Sequence, residues 1–447
     1  MFHKILIANR GEIALRIIRA CKEMGVRTII AHSTIDAESK PVRLADESIC
    51  IGPAPSRDSY LNMQSIISAA VISGAQAIHP GVGFLSENDT FASMVEEHDL
   101  IFIGPSPTHI KVMGDKVTAK QTLEKFGVPV VPGSAGAVRD DQAALQYARS
   151  IGFPILIKAS SGGGGKGMQI VYSEKDIPHA LRIARSEAKS NFGDDTVFME
   201  KYLTKPRHIE VQVLADNYGN VVHLGERDCS IQRRHQKIWE EAPGFSLTEK
   251  ERYKLGKVVT RAVQKLGYRG VGTFEFLYEE GQFYFIEMNT RIQVEHPITE
   301  MITGIDLIRE QIRVAAGEKL RFKQSDIRFS GHAIECRINA EDPETFMPSP
   351  GLVEKYHPPG GMHVRVDSHL YAGYKVPPTY DSLVGKIIVY GETRAECLAR
   401  LQRALEEFVI TGIKTNIPLH KRLAHNSNIA EGAFDIHWLE RYLAKPE

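Results

Sequence analysis

Cysteine is scarce in this chain. There are five in 447 residues (Cys21, Cys50, Cys229, Cys336, Cys397), scattered and never in a CxxC spacing. An odd, dispersed set argues against a disulfide framework and makes the cytoplasm the expected compartment. Net charge is also missing, because 55 Lys and Arg balance 55 Asp and Glu. That balance argues against a dedicated nucleic-acid or membrane-surface binder, although it leaves room for local basic clusters. Long apolar runs are absent, so no membrane span is expected. Met1–Arg10 lacks a basic start and a small-residue cleavage site, so it does not read as a signal peptide. No Cys/His or HxxxH spacing suggests zinc or iron.

What is present is ordinary globular composition, with 43% apolar and 25% charged residues. At roughly 100–200 residues per domain, two to four domains are expected. The first hundred or so residues alternate strand and helix signals. Ile5–Ala8 reads as a strand, Glu12–Met24 as an amphipathic helix before Gly25, and Val26–Ala31 as the next strand. The rhythm continues through Ser65–Ser73, Ala77-Ile78, Phe91–Glu97 and Leu100–Ile103, which predicts a Rossmann-like parallel sheet covered by helices. The loop Asn9-Arg10-Gly11-Glu12 is not GxGxxG, so no dinucleotide site is assigned there. Further on, Ile155–Ile157, Gln169–Tyr172, Val197–Met199 and Ile209–Leu214 read as strands and Thr248–Leu266 as a helix. Gly272–Tyr278 and Gln282–Met288 read as a hairpin, and Arg394–Phe408 as a closing helix.

Four segments carry chemistry. In Lys158–Met168, four consecutive glycines between apolar strands cannot form a regular interior. Their bare N–H groups suit a flap over phosphates beside Lys116, Lys158 and Lys166, or simply a flexible hairpin. In Glu287–Pro297, an extended chain would put Glu287, Asn289, Arg291, Gln293 and Glu295 on one face, and Glu275 would join them if the hairpin register allows. Two carboxylates and an amide oxygen form a hard site suited to Mg²⁺. In Glu226–Lys237, clustered cations form an anion trap or, as is commoner, a solvated loop. In His208–Val213, polar and apolar residues alternate as on a half-buried strand presenting His208, Glu210 and Gln212. Together these fit ATP-driven activation of a small carboxylate-like substrate, where positioning and charge neutralisation do most of the work.

Ile7–Ala14, His79–Asn88, Met113–Lys116, the glycine segment, Met199–Tyr202, Arg227–Lys237, Glu287–Pro297 and Glu335–Asp342 carry a resemblance that runs nearly end to end. The chain resembles the biotin carboxylase component of acetyl-CoA carboxylase, an ATP-grasp family shared with pyruvate, propionyl-CoA and urea carboxylases. The resemblance implies an N-terminal domain over residues 1–114 and an ATP-grasp domain over 115–328 with a mobile lid near 131–203. It places an α+β C-terminal domain over 329–447. It implies that Lys116, Lys158, Gly164, Gly165 and Met168 hold ATP phosphates or cover them. Glu200, Lys201, Tyr202 and Leu203 would form the adenine hinge, and His208, Gln232, His235 and Leu277 would line the nucleotide site. Glu275, Glu287 and Asn289 would bind two Mg²⁺ or Mn²⁺ ions. Lys237, Arg291, Gln293 and the Val294 backbone would hold bicarbonate, with Glu295 as general base and Arg337 steadying the biotin enolate. Arg291 and Lys237 would keep Glu295 ionised.

By the same resemblance, carboxyphosphate forms from bicarbonate and ATP, and biotin is carboxylated on a separate carrier protein, since no Ala-Met-Lys-Met segment occurs. Transfer to an acyl-CoA then falls to separate carboxyltransferase subunits. A homodimer is implied, with Arg19, Glu23 and Arg365 at its interface, although Arg19 and Glu23 also have the spacing of a plain helix salt bridge. No nucleic-acid or membrane partner is expected. The chain departs from the family at Val82 (usually Tyr), Trp239 (usually small and aliphatic), Ser161, Lys166 and Met362. These changes are expected to cluster where biotin or a partner sits and to weaken the use of free biotin. Two rivals remain: an ATP-grasp ligase joining another carboxylate to an amine, and a nucleotide-binding regulatory module without catalysis.

Overall fold

The computed structural model describes residues 1–134, 136–138, 140–159, 168–192 and 195–444. Its N-terminal unit is a parallel sheet of β1 (Lys4–Ile7), β2 (Arg27–Ser33), β3 (Glu47–Gly52), β4 (Ala77–His79) and β5 (Ile101–Phe102), in the order β3-β2-β1-β4-β5. The expected strand–helix rhythm is present, with Gly11–Glu23, Met63–Ser73 and Asp89–Glu97 as covering helices. The edge strand β3 was not expected from the sequence: only Ile49 and Ile51 alternate toward the core, too short a pattern to read as a strand. At the tip of β4, Gly81 has φ +65°, and a Cβ there would lie 2.8 Å from the Asn9 amide nitrogen. That close approach lets Asn9 Nδ2 donate to the carbonyls of Pro80 (2.7 Å) and Val82 (2.8 Å).

Residues 136–201 hold a small unit. β6 (Ile155–Ala159) lies between β7 (Met168–Val171) and β8 (Val197–Lys201), with the helices Asp141–Ile151 and Ile177–Phe192 packed on it. Its core is its own, built on Ala144, Ile155, Ile157, Leu181 and Met199.

The centre of the molecule is an eight-stranded sheet. It contains β9 (Arg207–Ala215), β10 (Val221–Arg233), β11 (Gln236–Ala242), β12 (Gly270–Glu279), β13 (Gln282–Asn289) and β14 (His332–Asn339). The short strands β15 (Gly351–Leu352) and β16 (Lys355–His357) lie outside it. β17 (Val364–Ser368) and β19 (Leu383–Gly391) complete it, while β18 (Lys375–Val376) pairs β15 and β20 (Val409–Thr411) pairs β16. The strand order β13-β12-β9-β10-β11-β14-β19-β17 is continuous across the expected boundary near residue 328. Ile209, Val211 and Val213 face a core shared with Val259, Ala262 and Val263 of the Glu249–Leu266 helix. That helix starts on a capping box, in which Thr248 and Glu251 satisfy each other's backbone N–H groups. The N-terminal unit is joined to the sheet by a mixed core in which Ile5, Ile13 and Ile17 meet Leu214, Val222, Val271 and Leu307.

The Glu226–Lys237 segment is neither a solvated loop nor an open anion trap. It is the β10–β11 hairpin, with only Arg234 and His235 at its tip in left-handed conformation, φ 47° and 63°. Arg227, Asp228, Cys229 and Ser230 are buried. β9 is buried along its whole length rather than half-buried, because a charged cluster covers its polar face. Trp239 was expected near a substrate or partner. It is instead 1% exposed, packed with Ile231, Cys336 and Ile387, and its Nε1 donates to Glu241 at 3.0 Å. Among the described residues, no helix is long and apolar enough to cross a membrane.

Candidate active site

The polar face of the central sheet aligns charged residues in register. Glu287 on β13 lies opposite Glu275 on β12, Glu275 opposite Glu210 on β9, and Glu210 opposite Arg227 on β10. The next row holds Asn289, Thr273 and Gln212. The register therefore puts Glu275 beside Glu287, as the expected metal set requires. Adjacent like charges destabilise a sheet unless cations sit among them. Lys237 supplies one: its Nζ donates to Glu210 at 2.5 Å, Glu275 at 2.9 Å and Glu295 at 2.8 Å. Arg227 supplies another. It is fully buried and donates to Glu210, to Gln212 (2.7 Å), Gln293 (2.7 Å), Thr299 (2.9 Å) and Thr273 (3.2 Å).

The strand ends at Asn289, so the extended run expected through Glu295 is wrong. From Thr290 the chain is a loop leading into the His296–Thr303 helix. Convergence comes from individual hydrogen bonds instead. Asn289 Nδ2 and Gln293 Nε2 donate to Glu275 Oε1 at 2.8 and 2.7 Å, and Lys386 Nζ donates to the Val294 carbonyl. Arg291 turns to Glu87 (2.8 Å) and Asn289 (2.8 Å), not to Glu295. Glu295 is held by Lys237 and by Arg337, whose Nη2 donates at 3.0 Å while its Nε donates to Glu240 at 2.6 Å.

The electrostatics follow from these contacts. Burial alone would raise the Glu295 pKa, but Lys237, then Arg337 and Arg227, hold it well below the usual carboxylate range. Arg291 is not the cause. Glu275 is also held low against its burial, chiefly by Lys237 and His208, whose Nε2 lies 2.9 Å away. Lys237 is driven well above the ordinary lysine value by the three carboxylates around it, against the opposing effect of burial. Glu240 behaves oppositely. It is fully buried beside Glu335, its cross-strand neighbour, and burial pushes it up to about 7 despite Arg337.

Lys116 and Lys158, the lysines expected to bind phosphates, are each paired with a carboxylate. Lys116 Nζ is 2.9 Å from Glu287, and Lys158 Nζ is 2.6 Å from Glu200, which Lys120 also approaches at 3.6 Å. Glu200 and Lys201 end β8, followed by Tyr202 and buried Leu203. Leu277 stands opposite His208, Gln232 is buried with its amide on the Cys229 carbonyl, and His235 is exposed at the hairpin tip. Met168 is exposed at the start of β7. Gly164, Gly165, Ser161 and Lys166 lie outside the described residues. Val82 is half-buried and packs against the mixed core below β1, with its carbonyl held by Asn9. The sequence reading missed Glu87, Lys120, Glu240 and Lys386, and gave no role to Arg227 or Glu210. Only Glu210 had a usable signal, its place on the polar face of an alternating strand.

Residues 1–110 match the family described as "Biotin carboxylase, N-terminal domain", and residues 335–441 match "Biotin carboxylase C-terminal domain". Residues 115–323 match "Carbamoyl-phosphate synthase L chain, ATP binding domain". The "Biotin carboxylase" of Haemophilus influenzae is 58% identical over 448 residues, covering all of both chains. The chain belongs to the biotin carboxylase family. The Pseudomonas aeruginosa biotin carboxylase is 56% identical over 99% of each chain. Among solved structures, the biotin carboxylase domain of a thermophilic 2-oxoglutarate carboxylase bound to bicarbonate superposes with TM-score 0.96 at 47% identity over all of both chains. A biotin carboxylase–β-γ-ATP complex from Campylobacter jejuni gives 0.92 at 50% identity over 99% of each chain. Biotin carboxylases are ATP-grasp ligases, and this fold has their three-part architecture: N-terminal parallel sheet, ATP-grasp unit and C-terminal unit.

Proposed function

We propose that this chain carboxylates biotin on a separate carrier protein, using ATP and bicarbonate through a carboxyphosphate intermediate. This is the first half-reaction of acetyl-CoA carboxylase or a related acyl-CoA carboxylase. The observation that carries the reading is Glu295, buried and ionised between Lys237 and Arg337. A carboxylate so placed can take a proton from a small anion that the same two cations attract, and those cations stabilise the charge that develops.

In this reading Lys237, Arg291, Gln293 and the Val294 amide hold bicarbonate, the Val294 carbonyl being already taken by Lys386. Glu295 removes its proton. A carbonate oxygen then bonds to the γ-phosphorus of ATP as the bond to the ADP oxygen breaks. Carboxyphosphate yields CO₂ and phosphate, phosphate takes the N1 proton of biotin, and the enolate, steadied by Arg337, captures CO₂. Lys116 and Lys158, with the flap glycines Gly164 and Gly165 and with Met168, bind the phosphates. Glu200–Leu203, His208, Gln232, His235 and Leu277 form the nucleoside site, and Val82 borders the biotin. Glu275, Glu287 and Asn289 offer two carboxylates and an amide oxygen from adjacent strands, a donor set that fits Mg²⁺ or Mn²⁺. Such an ion, when bound, supplies positive charge to the phosphates.

The domain division at 114/115 and 328/329, the lid near 131–203, the homodimer, the cytoplasmic location and service to carboxyltransferase subunits belong to the same proposal. One structural neighbour, the biotin carboxylase domain of the Hydrogenobacter thermophilus 2-oxoglutarate carboxylase, is a dimer in complex with MgADP, ADP and bicarbonate, which supports the homodimer and the two ligands. The test is ADP release with Mg²⁺ and bicarbonate, with and without biotin. Biotin-stimulated release is expected. Glu295→Gln should lower it by about 10²–10⁴-fold while nucleotide affinity stays unchanged. Release indifferent to both biotin and bicarbonate would overturn the reading in favour of another ATP-grasp ligase.

A further inference from the structure

The Glu249–Leu266 helix has one face in the core and one row of cations outside. Lys250, Lys254, Lys257, Arg261 and Lys265 recur every three or four residues, and all are exposed. Among the described residues no carboxylate pairs with any of the five. In a chain whose total charge is zero, this is a local segregation of charge along about 22 Å of helix. Beside the row lies a groove of about 350 Å³, floored by Phe126 and Val258 and flanked by Tyr253, which is 68% exposed. Lys257 and Lys265 lie over the Tyr253 and Phe126 rings, at 5.9 and 5.4 Å from their centroids. The helix packs on the back of the sheet whose front carries the active site, so an occupant here leaves the catalytic face free.

We propose that this face docks an acidic amphipathic segment of a partner protein, its carboxylates one helical turn apart on the cation row and an apolar side chain in the groove. The geometry is that of an amphipathic helix laid into a groove, with charge complementarity setting the register. A nucleic acid suits it less well: the cations form a single row, and no amide or hydroxyl other than that of Tyr253 lines the groove to read a base edge. A membrane suits it less well again, because the apolar face of the helix is already buried under the sheet.

The test uses the full chain and a synthetic labelled peptide with glutamates spaced to match the row and leucines on the face between them. Binding is read by fluorescence anisotropy at low and moderate salt. A scrambled peptide of the same composition, a single-stranded oligonucleotide and phosphatidylserine vesicles serve as competitors. The expected result is saturable binding of the patterned peptide. Lys254→Glu/Lys257→Glu/Arg261→Glu should weaken it by about tenfold or more, and Tyr253→Ala by several-fold. Bicarbonate-dependent ADP release should be unchanged in both variants, which shows that they fold; the single Lys257→Glu serves if the triple variant does not. No binding, or binding untouched by the variants, would mark the row as a solvated face. Equal or tighter binding of the scrambled peptide, the oligonucleotide or the vesicles would overturn the assignment to an acidic protein segment.

Discussion

Arg227 is fully buried and donates to five side chains, among them Glu210 on one strand and Gln293 on the loop before Glu295. A buried charge is costly unless every donor finds an acceptor. Removing it strands its partners: Arg227→Ala should lose about 3–5 kcal/mol of stability by denaturant unfolding. Activity should fall with it, because Gln293 and Glu210 lose their common anchor. The Glu240–Glu335 pair makes a different prediction. Three of its four carboxylate oxygens have no hydrogen-bond partner, and Glu240 is pushed up to about 7. A raised carboxyl keeps its proton in the folded chain where the unfolded chain releases it. Its contribution is therefore present below the ordinary glutamate range and lost as pH rises through about 7. Glu240→Gln should remove that loss, so its unfolding midpoint should gain on the parent's as pH is raised from roughly 5 to 8.

The β10–β11 hairpin shows why a charged run can be core. Its composition alone reads as a solvated loop, and Arg227, Asp228 and Glu240 are buried only because the neighbouring strands bring Glu210, Arg207 and Arg337 to them. Trp239 lies on the opposite face of β11 from Glu240, in the apolar core of the C-terminal unit. Trp239→Ala should therefore cost about 3–5 kcal/mol in unfolding experiments, with nucleotide affinity unchanged in the protein that remains folded. If the residue bordered biotin or a partner instead, the loss would appear in KM for biotin and not in stability. The Glu287–Glu295 run teaches the converse. Its polar residues do gather at one site, but the alternation that suggested this ends at Asn289, and hydrogen bonds in the loop complete the gathering.

Across the whole molecule, the central sheet is shared. β11 pairs β14, so the ATP-grasp and C-terminal units form one layer, and Arg337 reaches Glu295 from the C-terminal side. A groove of about 480 Å³ lined by Arg16, Arg19, Glu23, Glu300, Arg365 and Asp367 occupies the surface expected to pair in a dimer. Arg19 and Glu23 do not bond each other. Arg19 approaches Asp367 at 3.8 Å, and Glu23 approaches Arg309 at 3.7 Å. Met362 is 77% exposed, so it contributes little to the protomer's own core. Met362→Glu should leave the unfolding midpoint within about 0.5 kcal/mol of the parent while weakening self-association by about tenfold or more, read by sedimentation velocity.

The βαβ rhythm before residue 104, the Gly272–Met288 hairpin and the Glu249–Leu266 helix were legible in sequence, because apolar periodicity and caps are local properties. Part of the charged cluster was legible too: Lys237, Glu275, Glu287 and Glu295 were expected at the site and do converge, while Glu87, Lys120, Glu240 and Lys386 were not expected there. Which cation neutralises which carboxylate was not legible. Lys237 and Glu295 are separated by 58 positions, and Arg337 and Glu240 by 97. Residue order alone was enough for the elements and the family. It took the assembled fold to make Arg337 rather than Arg291 the partner of Glu295, Arg227 the buried hub and Trp239 a core residue. Charge pairing acts over a few ångströms in space, and chain order does not encode that proximity until the sheet is assembled.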